Sequence, residues 1–515
     1  MHKMEKLNKK EPILFYLLLL IHLLPVIILT PFVSLDGAAH LYNGRLLHTL
    51  IFENSSIVNR FFEFNPIPQP NWICQTLTAL LLTFLPAWLT EKIIIILIII
   101  SGAICFRLLT VELNTKSGWM SWLYFPMIYN FPFSLGFYNY SIGFSLLPFI
   151  LLFWIRNRNI KFNSLQFALL IIATIVLYFC HILIILFAGF FMFFITMNDY
   201  RLHDKKKIVN QIKSLIIIFL PILTLSIWVI FFTGSSSNPT QYNTFMDRIN
   251  DIISAGFLVF FDFNKDAILT RTYFLTLIGI TLWSLKNYSI QSYQKALLGI
   301  TICCFLLIFI IPESLASGSV ITVRVVQVFY LAWMIWLITL NIPIKGRVVI
   351  AFISVLFSLV FSIRNFTRRK DLSDFAITYF EAAERMEKGS IVVPLNYDSN
   401  WLHNHLCDYM GVEKDIVVLR NYEAVSKAFP LVWKKGMDPE LHLGDFPASK
   451  KPCINIANFE KFSGLKINYI TVQMKPYIAD DSCTKSTFKQ LDSLFEPLPL
   501  WNNTDVRIYK RRIKS

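Results

Sequence analysis

The sequence predicts an α-helical polytopic membrane protein that carries a soluble α/β domain at its C-terminal end. Three observations carry that prediction. Hydrophobic residues make up 55% of the 515 and charged residues only 16%, more apolar surface than a soluble chain of this length could hide. Apolar runs such as 13–29 and 215–232 approach the length a helix needs to cross a bilayer. After Arg364 the composition changes: charges become frequent, and strand-like runs ("SIVVPLNY", "DIVVLRNY", "YITVQM") alternate with helix-like ones.

The formal net charge of +15 reads, in such a chain, as Lys and Arg marking cytoplasmic loops, so no nucleic-acid partner is expected. The eight cysteines show no CxxC pair and no zinc spacing. Cys105, Cys180, Cys303 and Cys304 lie in or beside apolar runs and read as small core residues.

Charge then threads the chain. Lys9 and Lys10 keep the N-terminus in the cytoplasm, and no small-residue cleavage site follows, so the first segment reads as a retained signal anchor. It spans about 12–31 and exits at Pro31. The basic loops 156–161 and 201–213 are expected inside. Between them, the run 164–197 is long enough for two spans, with its hinge near Cys180 and His181 outside. Working backwards, 118–130 goes out and 138–154 returns, leaving the loop with Arg107 and Lys116 inside. The segment "NWICQTLTALLLTFLPAW" (71–88) cannot also span, because every later basic loop would then fall outside. It reads as a juxtamembrane helix on the outer face, with 92–109 as the second span. Further spans near 215–233, 272–286, 296–312, 320–340 and 347–363 bring the count to about eleven. The expected domains are a membrane domain, 1–364, with juxtamembrane helices at 36–53 and 71–88, and an outer domain, 365–515. Cys407, Cys453 and Cys483 then sit in an oxidising compartment, where one disulfide is expected, between the last two.

Polar groups at membrane depth are costly unless paired or wet, so they are the informative ones. Asp36, His40 and Asn43, spaced i, i+4 and i+7, share one helical face directly after span one. Asn130 and Asn139 flank the outer turn "NFPFSLGFYNY". His181 sits at another outer turn, Glu313 follows an outward span, and Arg324 lies about one turn into the next span. Each also has a plainer use. Asp36 can be an N-cap, His40 and Asn43 interfacial side chains, and His181 a helix cap. Arg324 can snorkel to headgroups, and Gly136 and Asn139 can shape a turn. In the tail, His403, His405 and Asp408 resemble a metal cluster only loosely. No metal and no other cofactor is assigned.

The acid placed just after span one, the helices that follow it and the segment "PIPQPNWICQTLTALLLTFLP" (66–86) resemble the GT-C superfamily of integral membrane glycosyltransferases. The likeness is to its protein mannosyltransferase and aminoarabinose transferase branch, over about residues 12–364. It implies transfer of a sugar from a polyprenyl-phosphate-linked donor to a glycan, lipid or protein acceptor outside the cytoplasm, by a single inverting displacement. In that reading Asp36 is the base and His40 holds its carboxylate or assists proton transfer. Arg324, with His181, neutralises the departing phosphate, and Asn43, Asn139 and Glu313 complete the substrate-binding set. Many members pair two acids at the first-loop site, whereas here Gly37 follows Asp36 and the nearest partner is His40. No nucleotide is needed, in line with the lack of a P-loop or G-x-G-x-x-G motif.

Two other classes compete. A transporter or flippase would hold polar residues near the bilayer midplane on broken helices, often in paired halves. A non-catalytic envelope polysaccharide assembly protein would work through its tail. Ile, Phe, Lys and Asn are abundant, which suits an AT-rich bacterial genome and hence a bacterial inner (plasma) membrane, with the tail periplasmic or extracellular.

Overall fold

Apolar helices dominate the computed structural model, which describes residues 2–114, 118–157, 163–200, 205–233, 240–260, 262–287, 292–315, 318–444, 452–473, 481–499 and 501–512. Lys116, most of the basic loop 156–161 and the start of the basic loop 201–213 lie outside the described residues. In chain order the helices are α1 (His2–Ile28), α2 (Gly37–His48), α3 (Ser56–Phe61), α4 (Ile73–Leu81) and α5 (Ala87–Leu113). Next come α6 (Phe131–Ser134), α7 (Tyr138–Asn157), α8 (Ser164–Cys180), α9 (Ile182–Tyr200) and α10 (Lys205–Thr233). Then follow α11 (Phe245–Ile253), α12 (Phe263–Asn287), α13 (Ser292–Ile308), α14 (Ile321–Thr339) and α15 (Ile344–Glu384).

Seven stretches among the described residues are long and apolar enough to cross a membrane, within α1, α5, α7, α10, α12, α14 and α15. Three more apolar helices are shorter: Ser164–Cys180, Ile182–Asn198 and Gln294–Ile308. The chain is a polytopic α-helical membrane protein. One expected span takes another form. Gly118–Met127 is a 3-10 helix, and Trp119 to Met127 are all buried. Its aromatic side chains are poor α-helix formers and Pro126 lacks an N–H, so protein packing rather than lipid satisfies this segment. α4 has nine residues; at about 1.5 Å per residue it covers about 14 Å, half the hydrocarbon core.

The chain divides into two compact units, one made of residues 1–28, 69–71 and 95–367, the other of 29–68, 72–94 and 368–515. The 41-residue α15 contributes to both. Within the first unit, Glu11 of α1 and Arg107 of α5 form a bidentate pair at 2.6 and 2.7 Å. Trp122 Nε1 donates to the same carboxylate at 2.8 Å, and the guanidinium lies 4.4 Å over the Phe15 ring. Glu11 is buried and Arg107 largely enclosed, so removing one strands the other. Glu11→Ala is therefore expected to cost about 3–5 kcal/mol, read as a lower unfolding temperature in detergent. An unchanged midpoint would contradict the pairing.

The second unit is built on strands. These are β1 (Phe62–Phe64), β2 (Ile391–Asn396), β3 (Val417–Val418), β4 (Leu431–Trp433), β5 (Tyr469–Gln473), β6 (Phe495–Pro497) and β7 (Val506–Arg511). A five-stranded sheet has the order β3-β2-β5-β7-β6. β2 runs parallel to β3 and β5, while β7 is antiparallel to β5 and β6. The parallel strands are the three apolar runs singled out above, buried on both faces as such strands must be. A second, two-stranded pairing joins the first loop to the tail. β1 lies antiparallel to β4, with Phe62 opposite Trp433 and their rings stacked at 4.3 Å. The expected disulfide joins Cys453 and Cys483, and Cys407 is a buried free thiol.

Candidate functional site

Small residues let α2 sit deep in the second unit: apart from Arg45, every residue from Gly37 to His48 is buried. Gly44 is one reason. A Cβ there would meet Thr78 Cγ2 of α4 at 2.3 Å, so only glycine allows the two helices to approach this closely. His48 Nδ1 adds a contact to the Ala79 carbonyl at 2.9 Å.

On its other side α2 is stitched to tail residues 415–423, antiparallel to them. Arg45 reaches Asp415 at 3.1 Å. The Tyr42 hydroxyl donates to the Ile416 carbonyl at 3.1 Å and accepts from the Val418 N–H at 2.9 Å. Asn43 and Asn421 exchange amide hydrogen bonds at 3.1 and 2.9 Å, and Asn43 also donates to the Ala39 carbonyl. His40 Nδ1 lies 2.5 Å from Glu423 Oε1. Gln75 of α4 donates to Glu423 Oε2 at 3.0 Å and lies 2.9 Å from His40 Nδ1. The polar face of α2 is thus the face that meets β3 and the residues beyond its C-terminal end.

Asp36 stands at the N-cap position of α2, yet its side chain makes no capping bond. Tyr422 hydrogen-bonds its carboxylate instead, and Oδ1 lies 3.6 Å from His405 Nε2. His405 follows β2 in the chain and Tyr422 follows β3. The carboxylate therefore lies where segments leaving the C-terminal ends of two parallel strands converge, the position at which α/β sheets form clefts.

Three groups near Asp36 are biased by burial toward their neutral forms. Burial holds the His405 imidazole well below its ordinary value, with the positive charge of Arg420 and nearby His40 adding to the effect. Burial, then the carboxylates of Asp36 and Glu423, keep the Tyr422 phenol protonated. Burial pushes Asp408 well above the usual carboxylate range; Arg420 opposes the shift, and the Glu423 and Asp36 carboxylates add to it. The suspected metal pattern in the tail does not gather at one point: His403 Nδ1 binds Asp398 at 2.7 Å and its ring stacks on Phe375 at 4.3 Å. Among the described residues, no group of three or more His, Cys, Asp or Glu side chains is arranged to hold a metal ion.

The remaining candidates lie in the first unit. His181, between α8 and α9, places Nε2 2.9 Å from Arg324 Nη1, in the first turn of α14. The Arg324 guanidinium lies over Phe137 at 4.2 Å and near Tyr140 at 5.5 Å, and the Tyr140 hydroxyl donates to the Arg324 carbonyl. At 6% exposure, Arg324 is enclosed by aromatic rings. His181 Nδ1 also accepts from the Leu183 N–H, capping α9. Asn139 donates to the Asn71 carbonyl at 3.0 Å. Asn130 caps α6, and Gly136, at φ +83°, makes the turn that follows. Glu313 accepts from Asn243 at 3.1 Å and from the Thr322 N–H at 3.2 Å, tying its loop to the start of α14.

The structure thus brings together Asp36, His40 and Asn43 in one unit, and His181 and Arg324 in the other. Gln75, Arg420, Tyr422 and Glu423 had no place in the sequence reading. One signal could have found three of them: the polar run "RNYE" (420–423) directly after an apolar, parallel-type strand is where α/β domains place functional side chains.

No protein-family model matches the sequence, and no curated protein matches it. Solved structures do. The crystal structure of ArnT from Cupriavidus metallidurans bound to undecaprenyl phosphate aligns with a TM-score of 0.56 at 10% identity, covering 96% of this chain and 97% of ArnT. The apo form of the same protein aligns with a TM-score of 0.53 at the same identity and coverage. The chain has the fold of ArnT.

Proposed function

We propose that this protein is a membrane glycosyltransferase that moves a sugar from a polyprenyl-phosphate-linked donor to an acceptor on the extracytoplasmic face of a bacterial inner membrane. The observation that carries the reading is a fold shared with ArnT over nearly the whole chain, combined with a buried acid directly after the first apolar helix. A donor tethered to the bilayer by its lipid explains why such chemistry belongs to a polytopic protein.

In the reaction an acceptor hydroxyl attacks the anomeric carbon and the bond from that carbon to the phosphate oxygen breaks. The electron pair leaves with the polyprenyl phosphate, the anomeric configuration inverts, and the hydroxyl proton passes to Asp36 as general base. His40 supports Asp36 through the helix they share: its N–H bonds the Asp36 carbonyl at 2.9 Å, and its ring anchors that turn on Glu423. Arg324, with His181 beside it, supplies a fixed cation for the phosphate as negative charge builds on it. Its place in the first turn of α14 adds the positive end of the helix dipole. Asn43, Asn139 and Glu313 serve substrate binding by holding the segments that carry these groups.

Deleting the gene tests the reading. The expected result is a polyprenyl-phosphate sugar that accumulates in the lipid extract while one glycan or glycolipid disappears. Unchanged lipid-linked sugar and glycan profiles would refute it.

A further inference from the structure

We infer that His405 and Tyr422 are positioning residues for the Asp36 carboxylate, so that the soluble tail is a working part of the catalytic centre. The inference rests on the reading of Asp36 as the base and adds the tail's share in it.

Four features converge on this assignment. The Asp36 side chain is not spent on capping its own helix; its hydrogen bond comes from Tyr422, and His405 lies at 3.6 Å. His405 and Tyr422 are themselves packed together, ring centroids 4.7 Å apart, so neither rotates independently. The helix that presents Asp36 is fixed against the tail by four successive contacts, from Arg45–Asp415 to His40–Glu423. A slip of that seam by one residue would carry Asp36 away from both partners. Finally, His405 and Tyr422 line a small cavity of about 30 Å³ together with Arg420, Trp433, Asp438 and Glu440, so the groups that hold the carboxylate are not packed solid on every side.

The chemistry suits a base. A phenol and a neutral imidazole orient a carboxylate without adding a positive charge that would quench its basicity. A hydrogen bond from Tyr422 fixes the orientation of the carboxylate while leaving its charge intact. This division of labour also gives His40 a different task from His405: the first fixes the helix, the second faces the acid.

The test uses the full-length protein in membranes of the deletion strain. The lipid-linked sugar which that strain accumulates is the probe, and released polyprenyl phosphate is the readout. Tyr422→Phe removes one oxygen and keeps the ring. Turnover is expected to fall about 10- to 100-fold, the size of one lost hydrogen bond to a charged group, with the KM for the donor unchanged. Because the lost donor favoured the ionised form, the Asp36 pKa rises and the acid limb of the pH–rate profile moves to higher pH, a shift that a merely structural role would not produce. His405→Gln, which keeps a donor, should retain more activity than His405→Leu. Unchanged turnover and pH profile in both Tyr422→Phe and His405→Leu would overturn the inference while leaving the base assignment standing, provided Asp36→Asn is inactive in the same assay. An active Asp36→Asn protein would overturn both.

Discussion

Asp36→Asn leaves the deletion strain without its missing glycan, and turnover in membranes drops by about 10²- to 10⁴-fold, the usual worth of a positioned general base. The substitution is chosen because it changes charge and almost nothing else. The amide has the size and planarity of the carboxylate, its oxygen still accepts from Tyr422, and no helix cap is lost because the native side chain forms none. Expression, membrane insertion and unfolding temperature should therefore match wild type. A loss of activity that comes with a loss of folded protein would point instead to a structural carboxylate. Full activity in the amide variant would refute the base assignment outright.

Arg324→Ala is the second large effect. Its guanidinium is almost fully buried, against Phe137, Tyr140 and His181. A buried cation that meets an anionic phosphate contributes about 2–5 kcal/mol when one partner is truncated, so affinity for the proposed polyprenyl phosphate is expected to fall at least 30-fold. Alanine also deletes the packing of the side-chain stem. Arg324→Met, which keeps that stem, should show the same loss of affinity with less loss of stability. Arg324→Lys should recover only part of the binding, since an ammonium cannot present two parallel donors to a phosphate. Equal polyprenyl phosphate affinity in wild type and Arg324→Met would discard the phosphate role.

What the sequence made legible, and what it hid, follows from the range of the interactions. Apolar runs long enough to cross a bilayer are a local property, and so are β-branched runs between turn residues; the membrane class and strands β2, β3 and β5 could be read directly. The Cys453–Cys483 pair was open to reading because the segment's composition and compartment limit the choices. In the segment 118–130 hydropathy reports burial but not helix type, and a run rich in Trp, Tyr and Phe with Pro126 tightens into a 3-10 helix over Gly118–Met127.

The candidate site was legible only in halves. Spacing shows that Asp36, His40 and Asn43 lie along one face, but not what lies opposite, and the answer comes from residues about 370 to 390 positions later. Pairing of the first loop with the tail through β1 and β4 has no local signature either. His181 and Arg324 are 143 residues apart. Each stood out as a costly polar group near the membrane, but their contact is a product of helix packing that no periodicity encodes.

The most direct measurement takes purified protein in lipid, supplies the sugar-bearing polyprenyl phosphate extracted from the deletion strain together with that strain's envelope fraction, and follows the appearance of free polyprenyl phosphate. Wild-type protein should release it as a glycosylated product forms, and Asp36→Asn protein should release none above background. Release at equal rates by both proteins, or none by wild type, would contradict the assignment of Asp36 as the base of a lipid-linked sugar transfer.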